Sequence, residues 1–542
     1  MLTAIAEGGL WNVAALDFEL GYLMEPTAAP VGWAPSAKRP LARFWRFRQR
    51  VAMDAAEAEG WLAAQGAAQL AGVGGLTADS DEKRHAIVVD RIRDYISAGD
   101  CYQVNFTFPL SFEWFGHPVA LYARLRAMQP VRYGGFVGDG EGGIVSLSPE
   151  LFLEKAGERL VTRPMKGTLA RDQPAERLRE SLKDRAENLM IVDLLRNDLG
   201  RVAANGSVQV EQLFAVEDYP TVWQMASQVS ARVPGVAFGE ILQALFPCGS
   251  ITGAPKIRAM QIIAELEDQP RGLYTGAFGW IAPDGDFRLN VAIRTLELAA
   301  DRRGRMGVGS GIVADSAADS EWRECLLKAG FLRDCDPGLQ LIETLRREAG
   351  SYPRLDGHLA RLRHSAAWFG FAFDEARLRQ RLSDLPASGT WRVRVTLAKS
   401  GAIDVRSFPL ADEPAVPRLA RLAAARVDAT DPLRRHKTTA RPLYDEALGS
   451  LGAASPVFDV VFLNERGEVA EGARSNVFVE RDGRLLTPPL SSGALPGVLR
   501  AELLASGRAS EAVLWPADLQ QGFWLGNALR GLIAVRLESP AP

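Results

Sequence analysis

A chain of 542 residues is too long for one ordinary domain; at roughly 100–200 residues per domain it implies about three. Its 47% hydrophobic and 24% charged residues are those of an average folded globular chain, which excludes disorder. Sixty-three Lys and Arg against 66 Asp and Glu leave a net charge of −3, so there is no electrostatic case for nucleic acid or an anionic membrane as partner, and small molecules are expected instead.

The opening stretch to Gly21 carries Glu7, Asp17 and Glu19 and no basic segment, so it does not read as a secretory signal. No apolar run reaches the roughly 18 residues of a membrane helix. Cys101, Cys248, Cys325 and Cys335 form no C-x-x-C pair, which suits buried thiols in a reducing cytoplasm. With only five histidines, catalysis is expected to rest on lysines and carboxylates.

In chain order, the Ala/Gly-rich residues 62–81 read as a loop or a loosely packed connection. Residues 81–98 have helical spacing, with Ile87, Val88, Ile92, Tyr95 and Ile96 as the apolar stripe. CYQVNFTFPLSFEW (101–114) alternates and predicts a strand. Further strands are predicted at 143–147, 151–155, 159–163, 273–282, 286–296 and 306–313, and helices at 173–197, 237–246, 255–266 and 318–332. Strands with segregated helices indicate an α+β layered domain and not a Rossmann repeat. DCDPG (334–338) is the expected boundary, dividing the chain into 1–335 and 336–542. The second part again mixes strands (391–397, 457–463, 475–480) with helices (357–369, 375–383, 439–449, 497–504).

Three segments of the first part carry chemistry. In DRAENLMIVDLLRNDLGRV (184–202), Asp184 and Glu187 share a helical face, with Leu189, Met190, Val192 and Leu195 expected inward. In EWRECLLK (321–328), Glu321 and Glu324 repeat that spacing and Lys328 follows one turn later. Such pairs can build an all-oxygen site for Mg²⁺, or be exposed helix faces laced with salt bridges. FPCGSITGAPKIRAM (246–260) opens a helix behind a Gly/Ser/Thr turn, which is either a helix-start signal or an anion site at the helix N-terminus. GVGSGI (307–312) is only half a dinucleotide fingerprint and lacks its acidic partner.

Taken in order, RPMKGT (163–168), residues 184–202, residues 246–260, GLYTGAFG (272–279), NVAIRTL (290–296) and GSGIVADS…EWRECLLKA (309–329) resemble the chorismate-using enzymes. That family includes anthranilate, isochorismate and salicylate synthases and aminodeoxychorismate synthase component I. The match covers roughly 80–335, and residues 8–26 look like a shortened form of the family's N-terminal region, so 1–80 is taken as that part. The KGT at Lys166 is similar to the aminodeoxychorismate type, where anthranilate synthases usually carry a small residue. The resemblance implies that Lys166 adds to the ring as the C4 hydroxyl leaves and that ammonia then displaces it, with Glu150 handling protons. It implies Glu187 and Glu324 as Mg²⁺ ligands, supported by Asp184 and Glu321. Substrate contacts are implied at Thr168, Thr252, Gly253, Tyr274, Arg294, Gly309, Gly311 and Lys328. One departure is Gln224, which stands where many relatives carry histidine and cannot shuttle a proton near neutral pH. No cysteine nucleophile elbow accompanies the chain, so a separate glutaminase subunit is the expected ammonia source.

In the second part, RLDGHLARLRHSAAWFGF (354–371) is an amphipathic helix with Leu359, Leu362, Ala366 and Phe369 inward. Together with RRHKTTARPLYDEAL (434–448), VAEGARSNVFV (469–479) and GALPGVLR (493–500), it resembles fold-type IV pyridoxal-phosphate enzymes, which include aminotransferases and aminodeoxychorismate lyase. The resemblance implies Lys437 as the covalent cofactor lysine, also the catalytic base, and Glu471 as the partner of the pyridine nitrogen. It implies Arg361 and the backbone at Val498 and Leu499 as phosphate ligands, with Ser475 and Asn476 lining the same region. These residues alone leave lyase and aminotransferase open.

The fold class expected is therefore α+β: a chorismate-binding layered fold followed by a fold-type IV domain. The function expected is 4-aminobenzoate formation from chorismate in two steps, in the cytoplasm, with Mg²⁺ and pyridoxal phosphate. The fold-type IV part admits a homodimer. The alternatives are an anthranilate- or isochorismate-type synthase joined to an amino-acid aminotransferase, or a regulatory fusion without catalysis.

Overall fold

The structure is a computed structural model that describes residues 9–37, 39–138, 140–219, 222–411, 418–452 and 455–538. Glu7 lies outside the described residues. Two compact units are present: the first comprises residues up to Gln69, Leu76–Phe112 and Gly116–Cys335, the second Leu70–Gly75, Glu113–Phe115 and Asp336 onward. Among the described residues no helix is long and apolar enough to cross a membrane.

The first unit holds two sheets. One runs in the order Gln209–Asp218, Val222–Arg232, Arg159–Arg163, Leu151–Ala156, Phe287–Val291, Ala277–Ile281, Trp11–Leu16, Ala42–Phe47, and Met165–Ala170 joins it along Val222–Arg232. Its buried face packs Phe152, Leu153, Leu160, Phe287 and Leu289 against Ile191, Val192, Leu195 and Leu199 of helix Leu182–Gly200. The other sheet runs through Gly253–Ala254, Gln103–Gly116, Arg303–Ile312, Thr295–Leu298, Gly143–Ser146 and Gly135–Gly138. Its outer face is covered by helices Glu82–Ser97 and Lys256–Leu266, through Val88, Val89, Ile92, Ile262 and Ile263 on Val104 and Phe106.

Several sequence expectations change here. Residues 62–81 are not one loop, for Ala71–Ala78 is a strand whose first four residues are buried. Its glycines masked the β pattern, since they give no side-chain alternation to read. Ile87 is exposed, and the stripe of its helix is His85, Val88, Val89 and Ile92. Leu189 is likewise exposed. The expected helix 173–197 is two helices, Ala175–Glu180 and Leu182–Gly200, because Ser181 adopts extended backbone and caps the second by accepting from Asp184 N–H. The expected strand 286–296 breaks into Phe287–Val291 and Thr295–Leu298 around Arg294, which has left-handed backbone at φ +48.

In the second unit, the sheet Leu341–Glu348, Thr390–Leu397, Ile403–Pro409 carries helices Leu355–Phe369 and Glu375–Ser383 on Leu345, Val393 and Val395. Leu359, Leu362, Ala366 and Phe369 face inward, as the spacing predicts. A larger sheet runs Val469–Gly472, Val457–Asn464, Arg418–Val427, Gly531–Leu537, Phe523–Asn527, Asn476–Arg481, Arg484–Thr487, Ala509–Glu511.

Candidate active sites

In the first unit, Lys166 lies on the short strand Met165–Ala170, one residue before Gly167, whose φ of +91 turns the backbone close to Asp184. Burial is the first cause holding the Lys166 amine below the ordinary lysine value; Lys328 adds to it, while Glu150, Glu187 and Glu324 oppose it. The structure thus gathers Glu150, Glu187, Glu324 and Lys328 around one amine. Glu150 is 4% exposed and accepts a hydrogen bond from Ser250 Oγ at 2.6 Å. Burial raises its pKa to about 7, against the lowering effects of Ser250 and Lys166.

Glu187 is raised mainly by burial, with Lys166 and Lys183 opposing. Glu324 pairs with Lys328 at 2.8 Å, and the same ammonium donates to Gly309 O at 2.8 Å. Two carboxylates with only oxygen donors fit a hard divalent cation that keeps water or substrate in its remaining positions. Among the described residues no group of three or more His, Cys, Asp or Glu is placed to hold a metal ion. Glu321 is turned to its own turn, accepting from Ser316 Oγ at 2.8 Å.

The other expected contacts divide. Gly309 and Gly311 are required by packing: a Cβ would lie 2.5 Å from Phe106 O and 2.5 Å from Gln103 Nε2 respectively. Gly253, at φ +137, sits against Gln103 O. Thr252 is buried and donates to Cys248 O at 2.8 Å, so it ties its own turn. Tyr274 packs on Gly307, where a Cβ would lie 2.1 Å from the ring, and burial raises its phenol. Arg294 donates to Gln129 Oε1 at 3.0 Å, and burial lowers its pKa. Thr168 accepts from Gln224 Nε2 at 3.2 Å; the glutamine at the family's histidine position therefore holds the KGT strand. Sequence reading missed Ser250, although the G-S-I-T run it belongs to was the available signal.

In the second unit, Lys437 is fixed by backbone pairing, its carbonyl accepting from Ile342 N–H at 2.9 Å. It lies five residues before helix Pro442–Gly449, which starts later than expected because Pro442 is at its first position. Burial, then Arg441 and Arg361, lower its pKa to about 7, with Glu343 and Glu471 opposing. Glu471 is 6% exposed and receives Leu495 N–H at 2.9 Å and the hydroxyl of Tyr444. Arg361 is held by Glu343 through Nε at 2.8 Å and Nη2 at 2.6 Å, and its Nη1 donates to Pro496 O at 3.2 Å. Glu343 also lies 2.7 Å from His358 Nδ1, and Arg361 first, with the His358 hydrogen bond, holds its carboxyl down at about 2 despite burial.

The helix Val498–Ala505 begins at Gly497 with no side chain capping it, which leaves its first N–H groups for an anion. A Cβ on Gly497 would lie 1.9 Å from Asn476 Oδ1, so only glycine lets the turn approach Asn476. Asn476 donates to Leu495 O at 2.9 Å, and Ser475 donates to Asp459, turning away to the neighbouring strand. Lysine, buried carboxylate, arginine and uncapped helix start together fit pyridoxal phosphate.

Residues 5–334 match the chorismate binding enzyme family and residues 340–537 the amino-transferase class IV family. The chain is 42% identical over 242 residues to aminodeoxychorismate synthase component 1 of Salmonella typhimurium, covering 43% of this chain and 53% of the relative. It is 43% identical over 265 residues to anthranilate synthase component 1 of Thermus thermophilus, covering 47% and 57%. It therefore spans little more than half the length of these curated relatives. The crystal structure of anthranilate synthase component I from Streptococcus pneumoniae aligns with a TM-score of 0.52 at 29% identity, over 60% of this chain and 80% of that one. The chain belongs to the chorismate binding enzyme family and carries an amino-transferase class IV domain, of the fold-type IV class, behind it.

Proposed function

We propose that the first unit aminates chorismate at C4 to 4-amino-4-deoxychorismate and that the second removes pyruvate from that product to give 4-aminobenzoate. The observation that carries this reading is the amine of Lys166, half-buried among Glu150, Glu187 and Glu324 and held below its usual pKa. A neutral amine there is a nucleophile, and a small residue at that position would offer none. Glu150, with a pKa near 7, is matched to proton transfer at neutral pH. Glu187 and Glu324 would hold Mg²⁺, which supplies positive charge opposite a substrate carboxylate. Arg294 and Lys328 offer cationic donors for carboxylates. Ammonia is drawn from a separate glutaminase subunit or from ammonium.

In the second unit, pyridoxal phosphate when bound supplies an electron sink. Lys437 Nζ would take the proton from substrate C4, which leaves the ring as it aromatises and ends on the departing pyruvate, and a pKa near 7 suits that transfer. Glu471 would hold the proton on the ring nitrogen, and Arg361 with the N–H groups at Val498 and Leu499 would hold the phosphate.

A second reading is favoured by the 43% identity to anthranilate synthase: the first unit would make anthranilate instead. Incubating the protein with chorismate, Mg²⁺ and ammonium, with and without pyridoxal phosphate, separates the two. The proposal expects aminodeoxychorismate without the cofactor and 4-aminobenzoate with it. Anthranilate, or no amination at all, would sink it.

A further inference from the structure

Half-buried Arg434 and the buried Tyr444 and Glu471, from three segments of the second unit, form one hydrogen-bonded line ending on Glu471. Arg434, in the 3₁₀ turn Pro432–Arg435, donates from Nη1 to the Tyr444 hydroxyl at 2.5 Å. Tyr444, on helix Pro442–Gly449, passes its own hydrogen to Glu471 Oε1. The second carboxylate oxygen receives Leu495 N–H at 2.9 Å. The Tyr444 ring has the Arg434 and Arg441 guanidinium carbons at 5.2 and 5.0 Å from its centroid, and meets Phe462 edge-on at 5.0 Å. Tyr444 is buried and gripped from several sides, so its hydroxyl has one place to point.

A carboxylate this deeply buried takes up a proton unless donors stabilise its charge. The charged and titratable groups acting on Glu471 are Tyr444, Arg434 and Arg441, with Lys437 in the same field. We propose that Tyr444, itself held by Arg434, is a positioning residue that keeps Glu471 ionised and aimed at the ring nitrogen of the bound cofactor. This rests on the cofactor reading above. Burial is the first cause raising Glu471, and the Tyr444 hydrogen bond is the first of the opposing ones, which agrees with the geometry.

The test uses full-length Tyr444→Phe. Thermal melting of the cofactor-free protein checks folding. Binding of pyridoxal phosphate is followed by fluorescence from pH 5.5 to 9, and the ring-nitrogen protonation by NMR with ¹⁵N-labelled cofactor. The expected result is about tenfold weaker binding in the variant at pH 6.5, recovering toward wild type by pH 9, and a ring-nitrogen proton that titrates off at lower pH than in wild type. The acid limb should move up by about one pH unit, a tenfold change in proton affinity. Arg434→Gln should shift it the same way by less, and carries the same test where the Phe variant does not fold. An acid limb that stays in place, or a loss equal at every pH in a folded variant, overturns the proposal. Failure of the wild-type protein to take up pyridoxal phosphate, with no band near about 420 nm, overturns the cofactor reading and this proposal with it. That outcome is seen before any variant is made.

Discussion

Ser250 donates its hydroxyl hydrogen to Glu150 across 2.6 Å, joining two residues one hundred positions apart in the sequence. The serine comes from the short 3₁₀ turn Gly249–Ile251 and the glutamate from the residue before strand Leu151–Ala156. Ser250 is also 3.1 Å from Cys248 Sγ, and both are fully buried, so no water can replace the donor without a shift of the turn.

Ser250→Ala should therefore raise the Glu150 pKa above about 7, since the serine is the largest effect lowering it. The expected outcome is about a tenfold loss of amination at pH 7, the scale of one hydrogen bond to a charged group, recovering as the pH is raised to 9. A pH–rate profile measures this; a loss unchanged by pH would contradict the role given to Glu150.

Glu150 also links pH to stability. Its folded pKa of about 7 exceeds the ordinary glutamate value of 4.5, so the folded state binds more protons between those values and stability falls as pH rises through that window. Glu150→Gln removes that penalty, on the order of 3 kcal/mol at most. The variant should melt higher than wild type at pH 8, no higher at pH 4, and lose amination. Equal melting at both values would refute the shift.

Lys437 runs the other way. Its folded pKa of about 7 lies below the ordinary lysine value of 10.5, so the unfolded state binds more protons in between, and stability of the cofactor-free protein rises with pH across that window. Lys437→Met should flatten the rise. Arg441→Gln should raise the Lys437 pKa, because Arg441 is the largest charge effect depressing it. The pH at which cofactor uptake is half-maximal should then move upward. Lys437→Ala should accumulate aminodeoxychorismate; continued release of 4-aminobenzoate would contradict its role.

Gly497→Ala should separate the helix start from Asn476, since its Cβ would lie 1.9 Å from Asn476 Oδ1. At least a tenfold weakening of cofactor binding is expected, an estimate of about 1.4 kcal/mol, with little change in far-ultraviolet circular dichroism. Binding at wild-type strength would show that this turn does not hold the phosphate.

Arg271 and Glu267 continue the edge of strand Gln103–Gly116 with side chains. Arg271 Nη2 donates to Asn105 O at 2.6 Å, Glu267 accepts from Thr107 N at 2.9 Å, and the pair meets at 2.7 Å, almost fully buried. Glu267→Ala leaves a buried guanidinium unpaired, which costs about 3–5 kcal/mol. The melting temperature should fall by several degrees, whereas the double variant Glu267→Leu with Arg271→Met should recover part of the loss. A single variant that melts like wild type would show the pair to be dispensable.

Local order in the sequence determined a good deal: the segregated strands and helices, the inward face of Leu355–Phe369, and the motif order whose resemblance points to Lys166, Lys437 and Glu471. These were legible because side-chain period and motif spacing are properties of neighbouring residues. Tertiary structure decided the partners. Glu343 grips Arg361 from 18 positions away, and Tyr444 reaches Glu471 from 27. Neither pairing leaves a periodic trace, since each joins a helix residue to a strand residue through packing of the two elements. Ala71–Ala78 was hidden for a related reason: its glycines carry no side chain to alternate, and burial within the sheet makes it a strand. The sequence offered candidate lysines and carboxylates, while only packing set which amine is pushed below its ordinary pKa and which carboxylate above it, because both depend on desolvation and on charges that the chain brings together in space.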